Sequence, residues 1–163
     1  MFDAILAVVL LVLDQLAKFW AINRLKDQAE IVLINNVLEL DYLENRGSAF
    51  GMFQNQKLFL LATGFVFLAI VLFFMAKLPS EKKYYLFHIC LAGILAGGIG
   101  NMIDRFRFSF VVDFISFVLI HFPVFNVADC YIVCSVIGLL LLFLFVYKDD
   151  DLEFLSFRKK TKE

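Results

Sequence analysis

Polar side chains suited to acid–base chemistry are concentrated in residues 100–129, between two strongly apolar stretches of the chain. The set is Asn101, Asp104, Arg105, Asp113, Asn126 and Asp129. Two carboxylates held close together do not both ionise easily, so one of them keeps a proton. Such a pair can hold a water molecule, with one carboxylate acting as base and the other as acid. Asp113 and Asp129 are the candidates for this chemistry, which is sufficient to hydrolyse a peptide bond.

A structural role is the alternative for Asp129. Asn126 is a favourable residue at the start of a helix, and an acid three residues later suits the same helix start. Pro123, just before, fits the same reading. These residues alone leave capping and catalysis both open.

Other hydrolytic chemistries lack their sequence patterns. The chain contains no HExxH, no zinc-type Cys/His spacing and no GxSxG. His88 and His121 are expected on opposite sides of the membrane, so they do not form one site. We therefore expect neither a metal nor a cofactor. The net charge of −1 at pH 7 gives no sign of nucleic-acid binding.

The composition is that of an integral membrane protein. The 163 residues are 62% hydrophobic and 17% aromatic, and the mean hydropathy is +0.84. An ordinary soluble domain is about 45–50% apolar. The length suits a single domain, 1–163. A helix of about 20 residues crosses a bilayer, and the segments that are long and apolar enough are 4–22, 58–76, 84–103 and 127–147.

Lysine-rich segments predict the orientation of these spans. The link 77–83, which reads KLPSEKK, and the tail after Tyr147 are the most densely basic parts. Both are expected in the cytoplasm, which places both termini inside and the loops 23–57 and 104–126 outside. The charged tail, 149–163, is expected to be solvated and without function.

This topology brings polar residues from separate parts of the chain to one depth, at the outer membrane boundary. The set is Asn45, Asn101, Arg105, Asp113, Asn126 and Asp129. Helix capping does not require such a convergence, which therefore favours a functional site.

The outer loops carry strand patterns. Apolar runs at 31–34 and 37–43 flank an Asn-Asn pair, which predicts a hairpin with a tight turn. Residues 106–113 mostly alternate in polarity, which predicts a short strand with Asp113 on its more polar face. We expect these strands to form a small sheet at the membrane surface, because an unpaired strand cannot lie in lipid.

Asp14 lies inside the first span, where a charged side chain costs about 2.5–3.5 kcal/mol on insertion scales. Lys18 is one helical turn later and can pair with it. The pair suits a structural link between helices, or support beneath an active site. Intramembrane acids also mark proton relays, so a proton-coupled small membrane transporter that uses Asp14 is the alternative function. A purely structural membrane protein is a third.

Five motifs occur in order along the chain: DQLAK at 14–18, NRGSAF at 45–50, GNMIDR at 100–105, VVDF at 111–114 and FNVAD at 125–129. Their sequences, order and spacing resemble those of the bacterial lipoprotein signal peptidases, the signal peptidase II family. The resemblance covers nearly all of residues 4–147. Ser109 stands where the family commonly has a glycine.

The resemblance implies an all-α membrane protein with four transmembrane helices and a small extracytoplasmic β-sheet cradle. It implies an intramembrane aspartyl endopeptidase of the bacterial cytoplasmic membrane, with its active site on the outer face. The implied reaction removes the signal peptide from diacylglyceryl-modified prolipoproteins, just before the lipidated cysteine. Asp113 and Asp129 are implied as the catalytic pair. Supporting or substrate-contacting roles are implied for Asp14, Asn45, Gly47, Asn101, Arg105 and Asn126. Membrane lipids and globomycin-type inhibitors are implied as further binding partners.

Overall fold

Four helices long and apolar enough to cross a membrane form most of the computed structural model, which describes residues 2–48 and 52–155. They are α1 (Phe2–Arg24), α2 (Lys57–Lys77), α3 (Tyr85–Phe108) and α4 (Val127–Phe145). A lone apolar segment in lipid must be helical, because a helix satisfies its backbone hydrogen bonds internally. The prediction of four helices long and apolar enough to cross a membrane is confirmed. The last residues of the NRGSAF motif, 49 and 50, lie outside the described residues.

Helix α3 is central and packs against the other three helices. It is mostly buried, whereas α1, α2 and α4 expose most of their apolar surface. Glycines allow this close packing. A Cβ atom at Gly97 would collide with the backbone oxygen of Ala128 in α4, and one at Gly100 would collide with the carboxylate of Asp14 in α1. The small residues of α3 therefore bring α1 and α4 together at one level.

A three-stranded antiparallel sheet lies at one end of the bundle, in the order β1-β2-β3. Its strands are β1 (Ile31–Ile34), β2 (Leu38–Asn45) and β3 (Val111–Phe117). The predicted hairpin is confirmed, with Asn36 in the left-handed conformation (φ 57°) that its turn requires. The sheet packs on α1 through Val112 and Phe114, which are buried against Ala21 and Leu25.

The strand predicted over 106–113 is wrong in its position. Helix α3 continues through Phe108, and β3 begins only at Val111. The alternation of polar and apolar residues was a wrong guide to a strand here, because Phe106 is an apolar residue on the outer surface of a membrane helix and is 71% exposed. On such a surface hydropathy does not mark the buried face. The helix ends at Ser109, whose backbone is left-handed (φ 68°).

The tail was expected to be solvated, and this is wrong for its first part. Residues Asp149–Leu155 form a 3-10 helix that folds back on the start of α3. The Tyr84 hydroxyl donates to the Asp151 backbone oxygen at 2.8 Å, and the Phe154 ring packs edge-on against the Tyr84 ring. Aromatic contacts therefore hold the tail at the end of the bundle opposite to the sheet.

Candidate active site

The sheet places Asp113 beside Asn45. In the register of β2 and β3, Asp113 pairs with Leu43, and Asn45 lies two residues further along β2. Since alternate residues of a strand share a face, Asn45 is the diagonal neighbour of Asp113. Its Nδ2 donates a hydrogen bond to Asp113 Oδ2 at 2.9 Å. Asp113 is 1% exposed, so the polar partners of its side chain are groups of the protein itself.

The other edge of β3 leads the chain into α4. Ile115 and Phe125 exchange backbone hydrogen bonds of 2.8 and 3.0 Å, so that Asn126 begins α4 beside Asp113. Asn126 Oδ1 accepts from the Asp129 N–H at 3.0 Å, and Asp129 Oδ2 accepts from the Asn126 N–H at 3.2 Å. This reciprocal pair is a capping box. The capping role predicted for these residues is confirmed.

The same asparagine joins the two aspartates. Asn126 Nδ2 donates to Asp113 Oδ1 at 2.6 Å and to Asn101 Oδ1 at 3.1 Å. Asn101 Nδ2 in turn donates to Asp129 Oδ1 at 2.7 Å. The Asn126 side chain is fully buried, and both of its N–H donors and its oxygen take part in these bonds. Capping and site assembly are therefore not alternatives, because one side chain does both.

Asp113 and Asp129 differ in their surroundings, since Asp113 is buried and Asp129 is partly exposed. Burial and the negative charge of Asp129 raise the pKa of Asp113 to about 7, while hydrogen bonds from Asn45 and Asn126 act in the opposite direction. Near neutral pH, much of the Asp113 population therefore holds a proton. A protonated carboxyl group beside a partly exposed second one is suited to activating water.

Arg105 ties the loop after β2 to α3. Its Nη2 donates to the Gly47 backbone oxygen at 2.9 Å, and the Gly47 N–H donates to Asn45 Oδ1 at 3.0 Å. The Arg105 Nε is buried and has no hydrogen-bond partner among the described residues. A buried N–H without an acceptor is costly. A bound molecule that presents an oxygen would satisfy it.

A cleft of about 290 Å³ lies beside Arg105, between α2, α3 and α4. Leu60, Phe67 and Ile132 contribute to its apolar wall, and Asn101 lines it together with Arg105. The cleft therefore offers apolar contacts along the helices and polar groups next to the aspartates. This combination suits a ligand with a lipid-like part and a peptide-like part.

Asp14 supports the start of α4 from below the two aspartates. Its Oδ1 accepts from the Ala128 N–H at 2.9 Å, one of the N–H groups that have no partner inside a helix. Lys18 Nζ lies 3.2 Å from Asp14 Oδ2. The predicted pair within α1 is therefore present.

The resemblance implied no catalytic or supporting role for Lys18 and Asp104, which belong to the same buried cluster. Lys18 Nζ lies 2.9 Å from Asp104 Oδ2, and the same oxygen accepts from the Val112 N–H at 3.2 Å. Asp104 is 1% exposed and pairs with Lys18 of α1. Both residues lie in the DQLAK and GNMIDR motifs, which was the available signal.

All of the predicted site residues belong to one connected set of hydrogen bonds and ion pairs. Asn45 links Asp113 to Gly47 and Arg105, and the two other asparagines link both aspartates. Lys18 connects Asp14 to this set, because the Lys18 ammonium group contacts both Asp14 and Asn101. The described residues contain no cluster of three or more His, Cys, Asp or Glu side chains suited to a metal.

The sequence model of the family described as "Signal peptidase (SPase) II" matches residues 6–145. The chain belongs to the signal peptidase II family. The lipoprotein signal peptidase of Clostridium tetani is 39% identical over 154 residues, which are 93% of this chain and 96% of that protein. The lipoprotein signal peptidase of Clostridioides difficile is 41% identical over 143 residues, which are 86% of this chain and 94% of that protein.

A solved structure described as a bacterial membrane enzyme has a TM-score of 0.76 with this chain at 26% identity. The match covers 90% of this chain and 94% of that one. Together with the four apolar helices, membership in the signal peptidase II family makes this a multi-pass bacterial membrane protein. The transporter considered from Asp14 is not supported by these relatives.

Proposed function

We propose that this chain is a lipoprotein signal peptidase, an intramembrane aspartyl endopeptidase that removes the signal peptide from prolipoproteins. The observation that carries the proposal is the Asn126 amide, which joins Asp113 to the helix start that holds Asp129. Family membership supports the substrate class. From the motifs we infer that the substrate carries a diacylglyceryl group and is cleaved just before its lipidated cysteine.

The reaction uses one water molecule and one proton shared between the aspartates. Asp129, the more exposed carboxylate, removes a proton from the water, and the water oxygen attacks the scissile carbonyl carbon. Asp113 donates its proton to the carbonyl oxygen, which gives a tetrahedral gem-diol. Asp129 then returns its proton to the nitrogen as the C–N bond breaks. Asp113 recovers a proton from the diol as the new carboxyl group forms.

Supporting residues hold this pair and the substrate. Asn126 and Asn101 orient the two carboxyl groups through their hydrogen bonds. The unpartnered Arg105 Nε is suited to an oxygen of the substrate, either a peptide carbonyl or an ester of the lipid. The mixed lining of the adjacent cleft supports sideways entry of the lipid-modified segment from the bilayer.

The orientation follows from charge density, since the link 77–83 carries three lysines in seven residues. We place this link and both termini in the cytoplasm, and the sheet with the aspartates on the outer face. Globomycin-type cyclic peptides are proposed as inhibitors at the same site, because the motifs of the chain match the family that they inhibit.

Purified enzyme in detergent with one lipid-modified prolipoprotein tests the function. Wild type should release the signal peptide, and the unmodified precursor should be cleaved poorly. Asp113→Asn and Asp129→Asn should each abolish turnover, and the double variant should cost little more, because residues that act as one catalytic unit are non-additive. Activity should persist with a chelator. Substantial cleavage by folded Asp129→Asn would leave this residue only its capping role.

A further inference from the structure

The buried charged cluster beneath the aspartates contains a cation, Lys18, that the proposed reaction does not use. Lys18 is 2% exposed. Its ammonium group lies within hydrogen-bonding distance of Asp14 Oδ2 at 3.2 Å, Asp104 Oδ2 at 2.9 Å and Asn101 Oδ1 at 2.9 Å. An ammonium group has three N–H donors, so this set of acceptors uses all of them.

A counter-ion for two buried acids is the simplest role for such a lysine, because a buried carboxylate without a partner is costly. That role accounts for the contacts to Asp14 and Asp104. It does not account for the third contact, which goes to a neutral amide. The partner in that contact is Asn101, which donates to Asp129.

The orientation of the Asn101 amide follows from this contact. Its Oδ1 accepts from both Lys18 Nζ and Asn126 Nδ2, and its Nδ2 donates to Asp129 Oδ1. A flipped amide would set Nδ2 against these two donors and would set Oδ1 against the carboxylate. Two donors on one oxygen therefore hold the amide in the single orientation that serves Asp129.

We propose that Lys18 is a positioning residue of the peptidase, which acts through Asn101 to hold the hydrogen-bond donor on Asp129. This rests on the proposed function, and it adds a role for Lys18 beyond balancing the charge of two acids. Loss of its ammonium group removes one of the two donors to Asn101 Oδ1 and leaves Asn126 Nδ2 as the other, so the amide that donates to Asp129 is held less firmly. The effect falls on turnover, because the Asp129 carboxylate is the base in the reaction. Substrate affinity is affected little, since Lys18 is sealed beneath the site.

The test requires variants that fold without the lysine. Lys18→Met alone leaves two buried acids without a cation, so we combine it with Asp14→Asn and Asp104→Asn. Asparagine keeps an oxygen that accepts from the backbone N–H groups of Ala128 and Val112. A matched triple variant carries Lys18→Gln instead. Glutamine is neutral, as methionine is, but it keeps an N–H donor. Melting in detergent confirms folding, and Lys82→Met, an exposed lysine at the opposite end, is the substitution control.

Cleavage kinetics then separate the two roles of Lys18. The methionine triple should lose about 100-fold in kcat with KM nearly unchanged, as expected when a reacting group is misplaced. The glutamine triple should retain at least about tenfold more kcat than the methionine triple. In an Asn101→Ala background that also carries Asp14→Asn and Asp104→Asn, Lys18→Met should cause little further loss, because the residue through which Lys18 acts is already absent.

Wild-type kcat in the methionine triple would overturn the inference and leave Lys18 as a counter-ion only. Losses from Lys18 and Asn101 that multiply would also overturn it, since the two residues would then act by separate routes. If the methionine triple does not fold, Lys18→Leu replaces Lys18→Met in the same background: a kcat at least about tenfold below that of the glutamine triple supports positioning, and a kcat equal to that of the glutamine triple contradicts it. Failure of wild type to cleave, or cleavage by Asp129→Asn, would overturn the proposed function instead.

Discussion

Asn126 and Asp113 are joined by a hydrogen bond of 2.6 Å, and the same Asn126 amide caps α4 through its oxygen. The start of a membrane helix and the assembly of the candidate active site are therefore one event.

Replacement of Asn126 should separate its two roles. Asn126→Ser keeps an oxygen for the cap but no donor that reaches Asp113, whereas Asn126→Ala loses both. We expect both variants to lose nearly all cleavage activity. The alanine variant should also be less stable than the serine variant, by about 1 kcal/mol, which is typical for loss of an N-cap. Denaturation in detergent measures the difference, and an active serine variant would show that the donor to Asp113 is dispensable.

The pH profile of kcat/KM should have an alkaline limb near the Asp113 pKa of about 7, because this parameter reports the pKa values of the substrate-free enzyme. Above that pH, Asp113 loses its proton and no acid remains to protonate the carbonyl oxygen. Asn45 donates to Asp113 and favours the ionised form, so Asn45→Ala should raise the pKa and move the limb to higher pH. Asn35→Ala, in the exposed hairpin turn, is the control. Movement of the limb to lower pH would contradict the assignment of Asp113 as the acid.

Ser109→Gly should stabilise the protein. Ser109 ends α3 in the left-handed conformation (φ 68°), which costs about 1–2 kcal/mol for a residue with a side chain. Glycine avoids this cost but makes the unfolded chain more flexible, so the net gain should be about 1 kcal/mol or less. Ser109→Ala is the matched comparison, because it keeps the strain and loses only the contact from Lys57. Equal melting of the glycine and alanine variants would show that this backbone carries no strain.

Cysteine labelling tests the orientation. In a background without Cys90, Cys130 and Cys134, a cysteine in place of Asn36 should react with an impermeant reagent added to intact cells. A cysteine in place of Ser80 should react only after lysis. Both positions are exposed, so the reagent reaches either one once it is on the same side. Labelling of position 80 in intact cells would reverse the orientation, and the proposed outer location of the site with it.

Much of this architecture is predictable from the sequence, for identifiable reasons. A span must be long and apolar, so the four helices are visible in hydropathy alone. The hairpin is visible because its turn needs a residue tolerant of positive φ, and Asn36 meets that need. The start of α4 is visible because a capping box has a fixed three-residue spacing.

The contacts between separate elements were not predictable. Lys18 reaches Asp104 and Asn101 across 83 or more residues of sequence, a pairing that only the packing of α1 on α3 creates. The end of α3 was misplaced because both faces of a membrane helix can be apolar. The fold of the tail onto Tyr84 depends on aromatic contacts that no local pattern in a charged segment indicates.

The residues that cap the start of α4 also belong to the candidate active site, and this overlap bears on drug resistance. An inhibitor that makes its main contacts with Asp129, which is partly exposed, binds a residue whose replacement would weaken both the helix start and the proposed reaction. A bacterium that escapes such a compound by mutation there would carry a less stable enzyme with little activity. Escape is more accessible through the apolar wall of the neighbouring cleft, at positions such as Leu60 or Phe67, where a change of size alters binding and leaves the aspartates in place. Compounds anchored at the helix start should therefore select resistant strains more slowly than compounds anchored in the cleft.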